Sequence, residues 1–110
     1  MKIFIACSKY FYDGIHSIRD ELESRGHVVS MPNSYESPMM EEEMKIKGIE
    51  EHIKWKSEML KKDKENILPQ DAVLVLNFDK NGMRDYIGGA TFMEIVKSWE
   101  LGKKIYLFNP

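Results

Sequence analysis

Apolar residues in this chain occur in two patterns: short unbroken runs, and longer stretches where they return every three or four positions. Ile3-Phe4-Ile5-Ala6-Cys7 is an unbroken run, the pattern of a strand covered on both faces. A helix follows, with Asp13 as its cap, Ile15, Ile18 and Leu22 on one face, and Gly26 just past its end. His27-Val28-Val29-Ser30-Met31 is a second strand, stopped by Pro32. The polar stretch from Asn33 to Pro38 reads as a loop. Ser37 as N-cap and Pro38 in the first turn predict a long helix to about Glu65. Its apolar face takes in Ile49, Ile53, Leu60 and, just beyond, Ile67, and Gly48 is the position to bend or divide it. Pro69-Gln70-Asp71 turns into Ala72-Val73-Leu74-Val75-Leu76, the clearest buried strand in the chain. A polar loop from Asn77 to Tyr86 leads to Gly88-Gly89 and a helix ending near Leu101, with Phe92, Ile95, Val96 and Trp99 as its apolar stripe. Gly102 ends that helix, and Lys104 to Phe108 forms the last strand.

Strand, amphipathic helix and strand within about 30 residues form a βαβ unit, so neighbouring strands run parallel. Strands alternating with helices predict one α/β domain over residues 1–110, a doubly wound, flavodoxin- or Rossmann-like three-layer fold. The expected strand order is 2-1-3-4. Right-handed crossovers then bring every strand's C-terminal end to one edge, where such sheets bind ligands. That edge carries Cys7–Tyr12, Met31–Tyr35 and Asn77–Ala90.

Composition narrows the chemistry. A chain of 110 residues supports one core and too little for two. The net charge of -2, with no large basic block, argues against a nucleic-acid polymer as partner. A single nucleotide remains open, because one or two cations and some backbone N–H groups suffice for it. Cys7 stands alone, so no internal disulfide forms, and a reducing cytoplasm is the expected setting. The apolar runs are too short to cross a bilayer, and the strand at Ile3 leaves no room for a signal peptide. His16, His27 and His52 lack metal-ligand spacing, and no cofactor is implied.

Three features at the ligand edge bear on function. Gly88-Gly89 precedes a helix N-terminus, where free N–H groups and the helix dipole favour an anion. It matches neither a dinucleotide fingerprint nor a phosphate-binding P-loop, and a plain tight turn explains it equally well. Glu94, in the second turn, points away from the Phe92/Val96 stripe on an ideal wheel, so it should face solvent, the ligand edge or another subunit. Its place near the helix start favours the ionised form, as a carboxylate nucleophile needs; an ordinary surface Glu also fits. Asp63 interrupts the apolar face between Leu60 and Ile67, which calls for a partner: a nearby lysine, or a ligand that exchanges a proton with it.

The stretch Asp63-Lys64-Glu65-Asn66-Ile67-Leu68-Pro69-Gln70-Asp71, followed by Ala72–Leu76, resembles a block of the nucleoside 2-deoxyribosyltransferases and the related 2′-deoxynucleoside 5′-phosphate N-hydrolases. In that family an Asp lies eight positions before the Asp that opens the third strand. Gly88-Gly89-Ala90-Thr91-Phe92-Met93-Glu94 is similar to the family's glycine turn into its catalytic Glu, and Leu101-Gly102-Lys103-Lys104-Ile105 to its exit into a strand. The resemblance implies cleavage or transfer of an N-glycosidic bond, with Glu94 attacking C1′ and Asp63 positioning the sugar or base and managing its proton. It puts Ser8 and Lys9 where the hydrolases hold a phosphate, and implies a homo-oligomer. Cys7-Ser8-Lys9-Tyr10-Phe11-Tyr12 stands where the family has a glycine-rich stretch, and these rings could stack on a base. By their place in the edge loops, Asn33, Tyr35, Asn77, Gly88 and Gly89 join Ser8, Lys9 and Tyr10 as candidate substrate contacts. Lys80 is a further loop cation, read mainly as solvated. Trp55 and the methionines at 39, 40 and 44 are read mainly as packing. The alternative function is a nucleotide-binding or sensing module that keeps the fold without turnover.

Overall fold

The computed structural model describes every residue from Met1 to Pro110. Its strands are β1 (Lys2–Ala6), β2 (Val28–Ser30), β3 (Ala72–Val75) and β4 (Lys104–Leu107), and its helices are α1 (Ile15–Ser24), α2 (Met40–Lys47), α3 (Ile49–Ile67) and α4 (Gly89–Glu100). The four strands form one parallel sheet in the order β2-β1-β3-β4, as the alternation of elements predicts. Ile3 pairs with Ala72 and Ala6 with Val75, so the two most apolar strands lie side by side in the middle.

Alternation along β1 divides the core into two layers. Phe4 and Ala6 join Val73, Val75 and Ile67 on one face, where Ile87, Ile95, Leu101 and Ile105 pack against them. Ile5 and Cys7 join Phe11, Ile15 and Leu76 on the other, under Ile18 and Val29. Helices α3 and α4 thus cover one face and α1 the other, which gives the three layers. No helix is long and apolar enough to cross a membrane.

The helices differ from expectation in three places. Asp13 caps nothing: a 3-10 turn over Lys9–Gly14 leads into α1, and Ser8 caps that turn by accepting the Tyr10 N–H at 3.4 Å. Helix α1 begins only at Ile15, and Gly26 (φ 88°) ends it as expected. The long helix starts at Met40 rather than Pro38 and is cut in two at Gly48. With φ 129° and ψ 168°, Gly48 adopts a conformation that side-chain-bearing residues avoid, so α2 folds back on α3 instead of continuing it. Ile49 and Ile53, expected on an inward face, are exposed as a result.

The third difference bears on function. Helix α4 is rotated so that Thr91, Glu94 and Ser98 are its buried residues, while Phe92 and Trp99 point outward, 57% and 74% exposed. Small polar side chains fit closely over the sheet, and the Ser98 hydroxyl satisfies itself by donating to the Glu94 carbonyl at 2.6 Å. Of the apolar stripe, Ile95 still packs on the core, while Phe92 and Trp99 cover none of it.

Ile67, fully buried where α3 meets the sheet, should be the most sensitive position of α3. Ile67→Ala is expected to cost about 3 kcal/mol, read as a lower urea midpoint at unchanged slope; a loss under 1 kcal/mol would contradict this packing.

Candidate active site

A cavity of about 450 Å³ opens beside the C-terminal ends of the strands. Cys7, at the end of β1, and the 3-10 turn after it contribute to one wall, with Ser8, Lys9, Tyr10 and Tyr12. Helix α3 adds Trp55, Lys56, Leu60 and Asp63, and α2 adds Glu41, Glu42 and Lys45. Lys80 and Tyr86 enter from the loop after β3, followed by Gly88, Gly89, Ala90, Thr91 and Glu94. Asp63 and Glu94, drawn from two helices, thus line one space.

The turn into α4 explains how Glu94 gets there. Gly88 is extended (φ -77°, ψ 170°) and offers no side chain to cap the helix, so the first amides of α4 meet the cavity without a capping acceptor. A Cβ on Gly88 would approach the Tyr86 hydroxyl oxygen to 3.4 Å. One turn later, Glu94 is 6% exposed. The expectation of an ionised Glu94 is overturned: burial, reinforced by the charge of Asp63, holds its carboxyl well above the usual range, against the pull of Lys56. The helix dipole is worth about 1 kcal/mol or less, too little to reverse that.

Asp63 is pushed up to about 6, chiefly by burial, while Lys56 and a hydrogen bond from Asn33 act against the rise. Asn33 donates from Nδ2 to the Asp63 carboxylate. Asp63 has no lysine of its own, since Lys56 bonds Glu41 at 3.1 Å. Burial raises Glu41 too, but His52 at 3.0 Å and Lys56 outweigh it and leave that carboxyl below its ordinary value. Burial, then Glu94, raises Cys7 to about 12, so the thiol stays protonated. Tyr12 is raised by burial, then by Cys7, Glu94 and Asp63, and remains a hydroxyl donor.

Of the residues expected at the site, Ser8, Lys9, Tyr10, Asn33, Asp63, Gly88, Gly89 and Glu94 line the cavity. Lys9 pairs with Glu42, and the Lys80 ammonium lies 3.6 Å from the centre of the Tyr10 ring and 4.4 Å from that of Tyr86. Two residues lie outside the lining. Tyr35 packs edge-on against Tyr12 at 5.5 Å, with its hydroxyl 2.7 Å from Nε2 of His16, and supports the wall from behind. Asn77 is buried and fastened to Asn109: its Nδ2 donates to the Asn109 carbonyl at 2.7 Å, and its Oδ1 accepts the Asn109 N–H at 2.8 Å. It clamps the end of the chain to β3.

Sequence reasoning missed the role of α2, and it read Trp55 as packing. Extending the Leu60/Asp63 face back along the helix would have found Trp55 and Lys56, which fall on the same side. No three His, Cys, Asp or Glu side chains converge as metal ligands would. No protein-family model matches the chain, and no curated protein compared with it is significantly similar in sequence.

The carboxyls bind their protons more tightly in the folded chain than in the unfolded one. Stability therefore falls as pH rises from about 4 through 6 and beyond. Asp63→Asn should leave stability unchanged near pH 4 and raise it by about 1–2 kcal/mol at pH 8, after allowance for solvent screening of a partly exposed group. Urea unfolding at both pH values checks this, and equal stability of parent and variant at pH 8 would contradict it.

Proposed function

We propose that this chain cleaves or transfers the N-glycosidic bond of a small (deoxy)nucleoside or nucleoside 5′-monophosphate, with Glu94 as nucleophile at C1′. The observation that carries the reading is the meeting of Glu94 and Asp63 in one cavity with the rings of Tyr10, Tyr12 and Trp55. The volume suits a ligand of nucleotide size. Lys80 and the uncapped amides at Gly89 supply positive charge for a phosphate, joined by Lys9 where the phosphate displaces Glu42 from it, and the rings supply stacking surface for a base. The likeness of Asp63–Leu76 and Gly88–Glu94 to the nucleoside 2-deoxyribosyltransferases points the same way.

The carboxyl pair sets the order of proton movement. In the empty site burial and the charge of Asp63 hold the Glu94 proton well past the usual carboxyl range, whereas Asp63, titrating at about 6, is mostly ionised at pH 7. As the bond from C1′ to the base nitrogen stretches, positive charge grows on the sugar and draws the Glu94 proton off. Asp63 takes that proton and passes it to the departing base. The Glu94 carboxylate then forms a bond to C1′ as the bond to nitrogen breaks. Water, giving its proton to Asp63, opens the adduct for hydrolysis; a second base does so for transfer. The proton that leaves with the base is replaced by the one that Asp63 takes from the water or the incoming base, so the pair again holds one proton when the cycle closes.

A second reading, a binding or sensing module without turnover, is favoured by the same protonated Glu94. A neutral carboxyl donates a hydrogen bond to a ligand without attacking it.

Glu94→Gln separates the two. An enzyme is expected to lose at least about 1000-fold in base release while keeping nucleotide affinity within about tenfold. For the wild type, kcat/KM should rise with pH through about 6 as Asp63 ionises and fall again as Glu94 loses its proton. Asp63→Asn should remove the acidic limb. No base released from any deoxynucleoside or its monophosphate, with or without a free acceptor base, would leave only the binding module.

The same reading carries a cytoplasmic homo-oligomer, and the exposed Phe92, Met93 and Trp99 of α4 are free to meet a second copy. Sedimentation equilibrium should detect association that Trp99→Glu weakens at least tenfold; a monomer at every concentration would contradict it.

A further inference from the structure

Asp63 is reached by a chain of two amides. Asn66, at i+3 on α3, donates from Nδ2 to Oδ1 of Asn33, and Asn33 donates from Nδ2 to Oδ1 of Asp63. Such a chain has a direction. A primary amide carries its N–H groups on one side and its carbonyl on the other, so a neighbour that takes the carbonyl leaves the N–H for whatever lies opposite. The backbones that bear the two amides are fixed by a third. Gln70, itself buried, donates from Nε2 to the Asn66 carbonyl at 3.0 Å and to the Ser30 hydroxyl at 3.1 Å. This ties the last turn of α3 to β2, and Asn33 follows β2 by three residues.

We propose that Asn66 is a positioning residue for Asp63: by donating to the Asn33 carbonyl it turns the Asn33 amide N–H toward the carboxylate, and so holds Asp63 as an acceptor. Reversal of both amides would present the Asn33 carbonyl instead, which accepts a proton-bearing carboxyl and repels an ionised one. The direction of the chain therefore selects the charge state of Asp63, in opposition to burial. Asn66 is exposed and touches the cavity only through Asn33, so it acts on the site at a distance. The consequence for turnover rests on the glycosidic reading, in which Asp63 carries the proton; the effect on Asp63 itself does not.

Two variants separate direction from other effects. Asn66→Asp has no N–H to give, so the Asn33 amide must turn its N–H toward residue 66 and its carbonyl toward Asp63. Asn66→Ala leaves Asn33 free to turn either way. The readout is the 13C shift of the Asp63 carboxyl against pH in the free protein, at 1 M salt, where screening over about 3 Å suppresses the added surface charge. The expected result is a midpoint raised by about one pH unit in Asn66→Asp and by less in Asn66→Ala, with the acidic limb of the rate profile moving alongside. A midpoint unmoved in Asn66→Asp, or a shift seen at low salt and absent at 1 M, would overturn the proposal, since repulsion alone would then account for the effect. Should the midpoint move while no nucleoside or nucleotide yields free base, the positioning of Asp63 stands and the glycosidic reading falls.

Discussion

Glu94 and Asp63 share a cavity, and burial together with the charge of Asp63 opposes the ionisation of Glu94. Lys56 is the cation nearest to mattering, yet it is engaged by Glu41 and only partly offsets the pair. In the proposed mechanism the pair shares one proton. A pair of titratable groups driven apart by their surroundings can act as acid and base in the same step, which two exposed carboxylates at ordinary values could not do. The arrangement lowers folded stability as pH rises, because both carboxyls bind their protons more tightly in the folded chain.

Several features of the fold bring these two groups to one cavity and line it around them. The parallel sheet sets the strand ends on one edge, and β1 delivers Cys7 and the capped turn that carries Tyr10 and Tyr12. The loop after β3 and the extended Gly88 set the phase of α4, so that Glu94 faces inward rather than Phe92. Gly48 breaks what would be one long helix, and α2 folds back to place Glu41 and Glu42 at the cavity. Gln70 joins the end of α3 to β2, which keeps Asn33 within reach of Asp63.

The sheet was legible in the sequence because unbroken apolar runs bounded by Pro32, Pro69 and Gly102 leave little choice of strand, and the alternation with helices points to a doubly wound order. Asp63 was legible because it breaks an otherwise apolar face. The phase of α4 was not. A helical wheel assumes that the most apolar stripe turns inward, whereas Thr91 and Ser98 are buried here, the Ser98 hydroxyl satisfied by the Glu94 carbonyl. The same assumption hid the burial of Glu94 and so reversed its expected charge. Tyr35 and Asn77 were assigned to the ligand from their loops alone, and a loop position does not say which way a side chain points. Tyr35 turns to His16 and Asn77 to Asn109, contacts from residues distant in sequence. The role of α2 depends on the break at Gly48, whose sharpness no periodicity reveals.

The shared proton is the claim on which the chemistry rests, and the carboxyl carbon of Glu94 reports it directly. A 13C titration of the ligand-free protein should find Glu94 still protonated at pH 7, ionising only after Asp63 has done so. A Glu94 signal that titrates near 4.5, independently of Asp63, would mean that the two groups are solvated separately, and the coupled site described above would not exist.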